Sequence, residues 1–316
     1  MPQPSASQVH IDAVLTNISV AYVQSEADFI SGRVFPSIPV SKQTDKYFTY
    51  DQNDWFRDEA QIRPPSTESA GGGFDISTDS YSADVFAFHQ DLPDQVLANA
   101  DAPLNLEADA ARFVTRKLLL KREIEWASTY FKTGVWSTDN TSATDWDVYA
   151  TSTPLLDIQT AKGTMLNATG YEPNTLVLGY DVYAALLNHP DFVDRIKYTS
   201  SEAITQEIMA RLFGVDRVFV ARAIKATNIE GETAAYSQIF SDSALLAYVA
   251  PTPSLLTPSA GYTFEWTGVS DGMGMNVGVT RIEMPLKRAV RVESQMAWDS
   301  KVVAPALGYF FSDLTT

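Results

Sequence analysis

From Asn105 to Thr133 the chain runs for 29 residues without a glycine or a proline. Leu106, Ala110, Phe113, Val114, Leu118, Ile124, Ala127 and Phe131 recur there at steps of three and four, a spacing that lines one face of a helix. Asn105 is placed to cap its start, with Glu107 and Asp109 on the positive end of the dipole. Lys132 stands near the other end, and Gly134 can adopt the left-handed conformation that terminates a helix. At 1.5 Å per residue the rod is about 40 Å long, more than an average globular helix needs. Such an element is expected to act as a strut that other segments pack along.

The charges around this rod are unevenly divided. Arg112, Arg116, Lys117, Lys121, Arg122 and Lys132 oppose only Glu123 and Glu125, a net of +4 between 112 and 132. Residues 45–109 hold 14 acidic side chains against Lys46, Arg57 and Arg63, a net of −11. An acidic arm beside a basic rod suggests that one packs on the other, within a molecule or between neighbours. The alternative is a solvated acidic loop beside an ordinary surface helix.

The whole chain of 316 residues carries a net charge of −16, which disfavours a nucleic-acid grip. Beside DNA, it is expected to line rather than bind it. The absence of cysteine removes disulfides and thiolate chemistry. The start MPQPSASQVHIDAVL lacks the basic region and long apolar stretch of a secretory signal, and no apolar run approaches a membrane span.

In chain order, a loose tail over residues 1–8 precedes a helix expected within Val9–Ile30. FISGRVFPSIPVSKQTDKYFTYD then reads as an extended arm broken by Pro36 and Pro39. Lys46–Arg57 and Phe74–His89 read as two strands joined by RDEAQIRPPSTESAGGG, a long flap. An isolated hairpin is marginal in water, so such a flap needs a surface to lie on. After the rod come a polar loop, a helix over Leu155–Ala168, a strand at Thr175–Leu178 and a helix at Asp181–Leu187. A helix at Ser201–Phe213 and a strand at Val218–Val220 complete a compact α/β lobe. From Ala244 onward the pattern is β: ALLAYVAP, GYTFEWTG, MNVGVTRIEM, RAVRVES and MAWDSKVV. These strands are expected to return beside the rod.

Catalytic signals are weak. GVSDG at Gly268–Gly272 matches a nucleophile elbow, which needs a helix after it and a later histidine. His10, His89 and His189 all precede Ser270. A loop between strands fits better, with a serine hydrolase as the remote alternative. GMGMNVG misses the dinucleotide fingerprint by one residue, and Asp139, Asp145 and Asp147 lack the glycine and glutamate of a calcium loop. No catalytic residue, cofactor site or metal site is expected.

The order of features resembles the major capsid proteins of tailed bacteriophages, with the Hong Kong 97-type α+β fold. FISGRVFPSIPVSKQTDKYFTYD, RDEAQIRPPSTESAGGGFDIS, REIEWA, PNTLVLGYDVYAALLNHP, ITQEIMARLFGVDRVFVARA and ALLAYVAPTPSLLTPSAGYTFEW carry the likeness. It implies an N-terminal arm over 1–45 and an extended loop over 46–92. It also implies a peripheral domain with a spine helix over 93–154, an axial domain over 155–265, and strands over 266–316 that return to the peripheral domain. The implied function is a non-catalytic head protein that assembles into hexamers and pentamers around packaged double-stranded DNA, made in a bacterial cytoplasm. A bacterial encapsulin-like shell is the alternative within the same fold.

Without a long N-terminal extension, a separate scaffolding protein or a processed form is implied, with portal and decoration proteins as further partners. Between Tyr47 and Arg116 there is no lysine, so the flap nucleophile that some members use for cross-linking is missing. Expected inter-subunit contacts are Arg112, Arg116, Lys121 and Arg122 on the rod, and Tyr47, Trp55, Arg57, Arg63 and Phe74 on the flap.

Overall fold

The computed structural model describes residues 24–100, 104–141, 144–196, 205–253, 257–269 and 278–316. Ser25 caps a 3-10 turn at Glu26–Asp28, and a short helix α1 follows at Ser31–Val34. Where a helix was expected over Val9–Ile30, its C-terminal end holds a three-residue 3-10 turn in place of α-helix, and its first part lies outside the described residues. β1 (Ser37–Val40) and β2 (Thr44–Tyr50) come next.

The strand expected over Lys46–Arg57 stops at Tyr50. The Asp51 carboxylate accepts the Asn53 N–H at 2.9 Å and starts α2 (Gln52–Phe56), which places Trp55 on a helix. β3 (Ile76–Ser82) pairs with β2 in a two-stranded ladder, whereas β4 (Asp84–Pro93) leaves the flap for another sheet. The expected strand Phe74–His89 is therefore two strands broken at Ala83, whose side chain is fully buried.

After α3 (Asp94–Ala98), the rod is α4, Leu106–Tyr130, about 38 Å long at 1.5 Å per residue. Asn105 caps it as expected, its side-chain oxygen accepting the Ala108 N–H at 3.1 Å. The buried face differs from the expected one. Ala110, Val114, Leu118, Ala127 and Phe131 are buried, but Phe113 is exposed, and Arg122, Glu123 and Trp126 lie inside. Arg122 takes the place that strict four-residue steps from Ala110 assign to an apolar side chain.

The lobe beyond it comprises β5 (Thr138–Asn140), α5 (Pro154–Thr169), β6 (Thr175–Gly179), α6 (Tyr180–Leu187), α7 (Pro190–Ile196) and α8 (Gln206–Phe213). Pro154 opens α5, where its missing N–H is no loss, and Gly170 ends it at φ +74°. Then come β7 (Arg217–Ala221), a small hairpin of β8 (Ile224–Ala226) and β9 (Tyr236–Gln238), β10 (Ala244–Ala247), β11 (Gly261–Trp266) and β12 (Gly278–Met284). RAVRVES and MAWDSKVV form one continuous strand, β13 (Ala289–Val302), and the unexpected β14 (Gly308–Phe311) closes the chain.

Two five-stranded sheets result. The first runs β1-β11-β13-β12, with β4 also paired to β13; the second runs β5-β14-β10-β6-β7. The segment 266–316 serves both sheets, since β14 inserts between β5 and β10. Alternation along the second sheet sends Leu176, Leu178, Leu246 and Phe311 toward α5–α8, and Val177, Leu245 and Phe310 toward the end of α4. The front of α4 packs Val114 and Leu118 onto Leu92, Val292, Met296 and Trp298 of the first sheet. One helix therefore belongs to the cores of both sheets, which is the strut role its length suggested.

Candidate inter-subunit surface

The arm is fastened to α4 by charge as well as by packing. Ile30, Val34 and Phe35 are buried, with Phe35 edge-on to Trp126 at a centroid distance of 5.3 Å. The Arg116 guanidinium donates to the Gln24 carbonyl, and the Gln24 side-chain amide pairs with both backbone groups of Ile224 at 2.7 and 3.1 Å. Arg122 donates to Glu265 at 2.8 Å and to the Ser37 hydroxyl at 3.2 Å, and Ser37 donates to Glu265 at 2.5 Å. Arg122, expected at a subunit boundary, is 9 % exposed and engaged within its own chain.

The other rod cations are on the outside. Arg112 lies 3.8 Å from Asp109 one turn earlier. Lys117 sits over the Phe113 ring and Lys121 over the Phe86 ring, at 5.3 and 5.9 Å. Nothing from the acidic flap reaches them within the described residues of one chain.

The flap is anchored at its base and largely exposed at its far end. Tyr47 and Tyr81 stack on Phe264 of β11 at 5.3 and 4.5 Å, and the Ser82 N–H donates to Asp299. Tyr47, expected to touch a neighbour, is engaged within its own chain. Its hydroxyl donates to Asp79 at 2.8 Å, and burial first, then that bond, pushes the phenol well above its ordinary range.

Farther out, Tyr50, Trp55 and Phe74 form a ring cluster with centroid separations of 5.6 to 6.3 Å. Phe48, Phe56 and Ile76 are also more than half exposed, and Ile62 is 96 % exposed. Arg57 pairs with Glu59 at 3.2 Å, and Arg63 donates to the Thr67 carbonyl at 2.6 Å. The far end meets its own chain at the end of α5, where Gln52 donates to the Ala168 carbonyl at 2.6 Å. Large apolar side chains exposed together in this way are the kind of surface that marks an interaction site.

One arrangement looks catalytic and is not. Ser152 Oγ lies 2.9 Å from His189 Nε2, and the Asp191 carboxylate lies 3.9 Å from Nδ1. Yet Nδ1 accepts the Asp191 N–H at 3.1 Å, so the ring proton sits on Nε2 and points at Ser152. The serine proton goes to the Val148 carbonyl at 2.8 Å. A histidine already protonated toward the serine cannot act as its base, and both residues are buried. His189 instead starts α7. The GVSDG serine lies outside the described residues, and among those described no three acidic or histidine side chains are placed to hold a metal. The recess of about 350 Å³ between α5 and α8 contains Lys162, which is already spent on Glu172 at 2.8 Å and the Gly214 carbonyl at 2.6 Å.

No family model matches the chain. It is 26 % identical over 273 residues to the major capsid protein of Burkholderia phage BcepMu, covering 82 % of this chain and 84 % of that one. The major capsid protein of Pseudomonas phage JBD67 is 24 % identical over 308 residues, 96 % of both chains. A crystallised phage-related protein from Bordetella bronchiseptica RB50 superposes with a TM-score of 0.71 at 22 % identity, covering 92 % of this chain and 93 % of that one. The holo-SrpI encapsulin of Synechococcus elongatus PCC 7942 superposes with a TM-score of 0.52 at 13 % identity, covering 96 % and 95 %.

Proposed function

We infer that this chain, which has the Hong Kong 97-type fold, is a tailed-phage major capsid protein whose copies build the shell of a virion. The observation that carries the reading is the flap. It is tied to the subunit at its base, while its far end exposes Phe48, Trp55, Phe56, Ile62, Phe74 and Ile76 in one stretch of chain. A monomer has no use for that surface, and a shell subunit that overlaps its neighbour does.

In this reading residues 1–45 are the arm, 46–92 the extended loop, 93–154 and 266–316 the peripheral domain, and 155–265 the axial domain around hexamer and pentamer centres. β11 and β14 each cross that division, so the two domains share strands. The chain acts structurally rather than catalytically. A separate scaffolding protein guides assembly, and portal and decoration proteins join the same shell. The net charge of −16 supports a wall that lines packaged double-stranded DNA without gripping it. Synthesis in the bacterial host cytoplasm agrees with a chain free of cysteine.

Gel filtration and electron microscopy of the purified full chain, with and without the scaffolding protein, test the reading. Closed shells built of hexamers and pentamers are expected. A folded monomer that persists at high concentration in both preparations overturns it. Particles that hold a protein cargo in place of DNA would move the chain to the encapsulin side of the fold.

A further inference from the structure

β12 is the open edge of the first sheet. Among the described residues it pairs on one side only, with β13, while β4 lies along the other side of β13. The apolar face of α4 packs on β4 and β13. Residues 279–283 are exposed on both faces of the sheet, Val279 at 48 % and Ile282 at 41 %. A strand in this position offers its outer N–H and C=O groups as a template for another strand.

The register assigns its side chains to faces. Arg281 lies opposite Val292, which packs beneath α4, so Arg281 is on the α4 face. It reaches Glu283, two residues on, at 2.9 Å and Glu107 at the start of α4 at 3.3 Å. Ile282 lies opposite Arg291, which holds Asp91 on the other face.

We propose that β12 pairs with β12 of a second copy, antiparallel about a two-fold axis, so that two first sheets join into one. When two sheets join with their α4 faces on one side, opposed residues must come from the same face. Few registers then remain, and charge chooses among them. Centred on Arg281, the strands set guanidinium against guanidinium; centred on Glu283, they set carboxylate against carboxylate. Centred on Ile282, each Arg281 faces Glu283 of the other copy, and registers farther out give Arg281 no acid. The Ile282 register closes a ring of four alternating charges on the α4 face, built on the pair already present within each strand. On the opposite face it sets Ile282 against Ile282. The ladder runs from Thr280 to Met284 and ends at Pro285, which has no N–H to give. Such a contact closes at two copies, whereas subunits within a ring of five or six meet head to tail, so in a shell it joins neighbouring rings. That placement rests on the shell reading; the pairing itself needs only two copies of the chain.

The cysteine-free chain makes the register readable. Directly opposed Cβ atoms in such a ladder lie ~4.5–5.5 Å apart, within reach of a disulfide or a short bismaleimide. Full-length Ile282→Cys, so joined and boiled without reductant, should run as a dimer and never as higher multiples. Thr280→Cys should stay a monomer, because its own counterpart lies ~13 Å farther along the facing strand. In the Ile282→Cys chain, Glu283→Arg should remove most of the dimer. Adding Arg281→Glu to it rebuilds the ring with its signs exchanged and should restore the dimer. The reaction is run on assembled particles and on the concentrated subunit. Particles without the 282 dimer overturn the strand pairing and leave the shell reading standing. Dimers in a chain that never forms particles support the pairing and overturn the shell reading. Equal cross-linking through Thr280→Cys, or a dimer indifferent to the charge exchange, overturns the pairing, as does the absence of dimers from both preparations.

Discussion

Arg122 and Glu265, 143 residues apart in the chain, meet in a buried ion pair with Nη1 and Oε1 separated by 2.8 Å. The pair joins the long helix to β11, an inner strand of the first sheet, and Ser37 of the arm is bonded to both members. Burying two charges is costly, so losing one partner harms the fold far more than the intact pair helps it. Arg122→Met takes the guanidinium away from Glu265, and Glu265→Leu takes the carboxylate away from Arg122. Each single change is expected to destabilise the unassembled subunit by ~3–5 kcal/mol, and the double change by clearly less than the sum. Urea unfolding of the four proteins measures this coupling. Strictly additive losses would mean that the two side chains act independently.

His189 makes stability sensitive to acid. Burial holds the imidazole below its ordinary 6.5, the Asp191 carboxylate opposing only weakly from 3.9 Å. A histidine kept neutral in the folded state stabilises above the unfolded value, and that contribution is lost as pH falls from 6.5 toward the folded value. Thermal melts of the unaltered chain should therefore decline across this window, and His189→Asn should decline less. An identical acid slope in His189→Asn would assign the sensitivity to other groups.

Much of this architecture is legible because it is local. The helix shows its cap and period, the lobe shows its glycine stops, and the β-rich end shows its alternation. The errors arise where a distant residue decides the environment. Arg122 and Glu123 read as surface charges because their partners, Glu265 and the Ile30–Ser31 amides, lie far away in sequence. Tyr47 reads as a free aromatic until Phe264 is placed beneath it. β14 is too short to announce itself and is held by β5 and β10 on either side. On the flap, Trp55 and Phe74 are legible as apolar residues on an arm without a core. Their clustering with Tyr50 needs the turn at Asp51, which ends the strand.

Beyond Lys46 at its base the flap has no lysine, since none lies between Tyr47 and Arg116, and the chain has no cysteine. Purified particles boiled in denaturant should run as one band near 34.8 kDa. A ladder of multiples would show that Lys46 or a nucleophile outside the flap forms the bond.

Two forces are available to seat the flap on a neighbour, and their magnitudes differ. Exposed pairs between the acidic flap and Arg112, Lys117 or Lys121 are worth ~0–1 kcal/mol each and weaken with salt, since screening acts over ~10 Å at 0.1 M. Covering the half of Trp55 or Phe74 that is still exposed is worth ~1–1.5 kcal/mol apiece and is almost indifferent to salt. Hydrophobic seating should therefore dominate, with charge adjusting it. Trp55→Ser with Phe74→Ser is expected to abolish shell formation at every salt concentration while the subunit still folds, because both side chains lie outside the cores. Lys117→Glu with Lys121→Glu should slow assembly only at low salt. Arg116 is the wrong residue for this comparison, because its bond to Gln24 holds the arm and its reversal would disturb the subunit itself. Light scattering during assembly, followed over a salt series, separates the two contributions. If the charge reversal blocks assembly at all salt concentrations and the aromatic changes do not, the basic face of the helix is the seat of the flap and charge outranks apolar burial there.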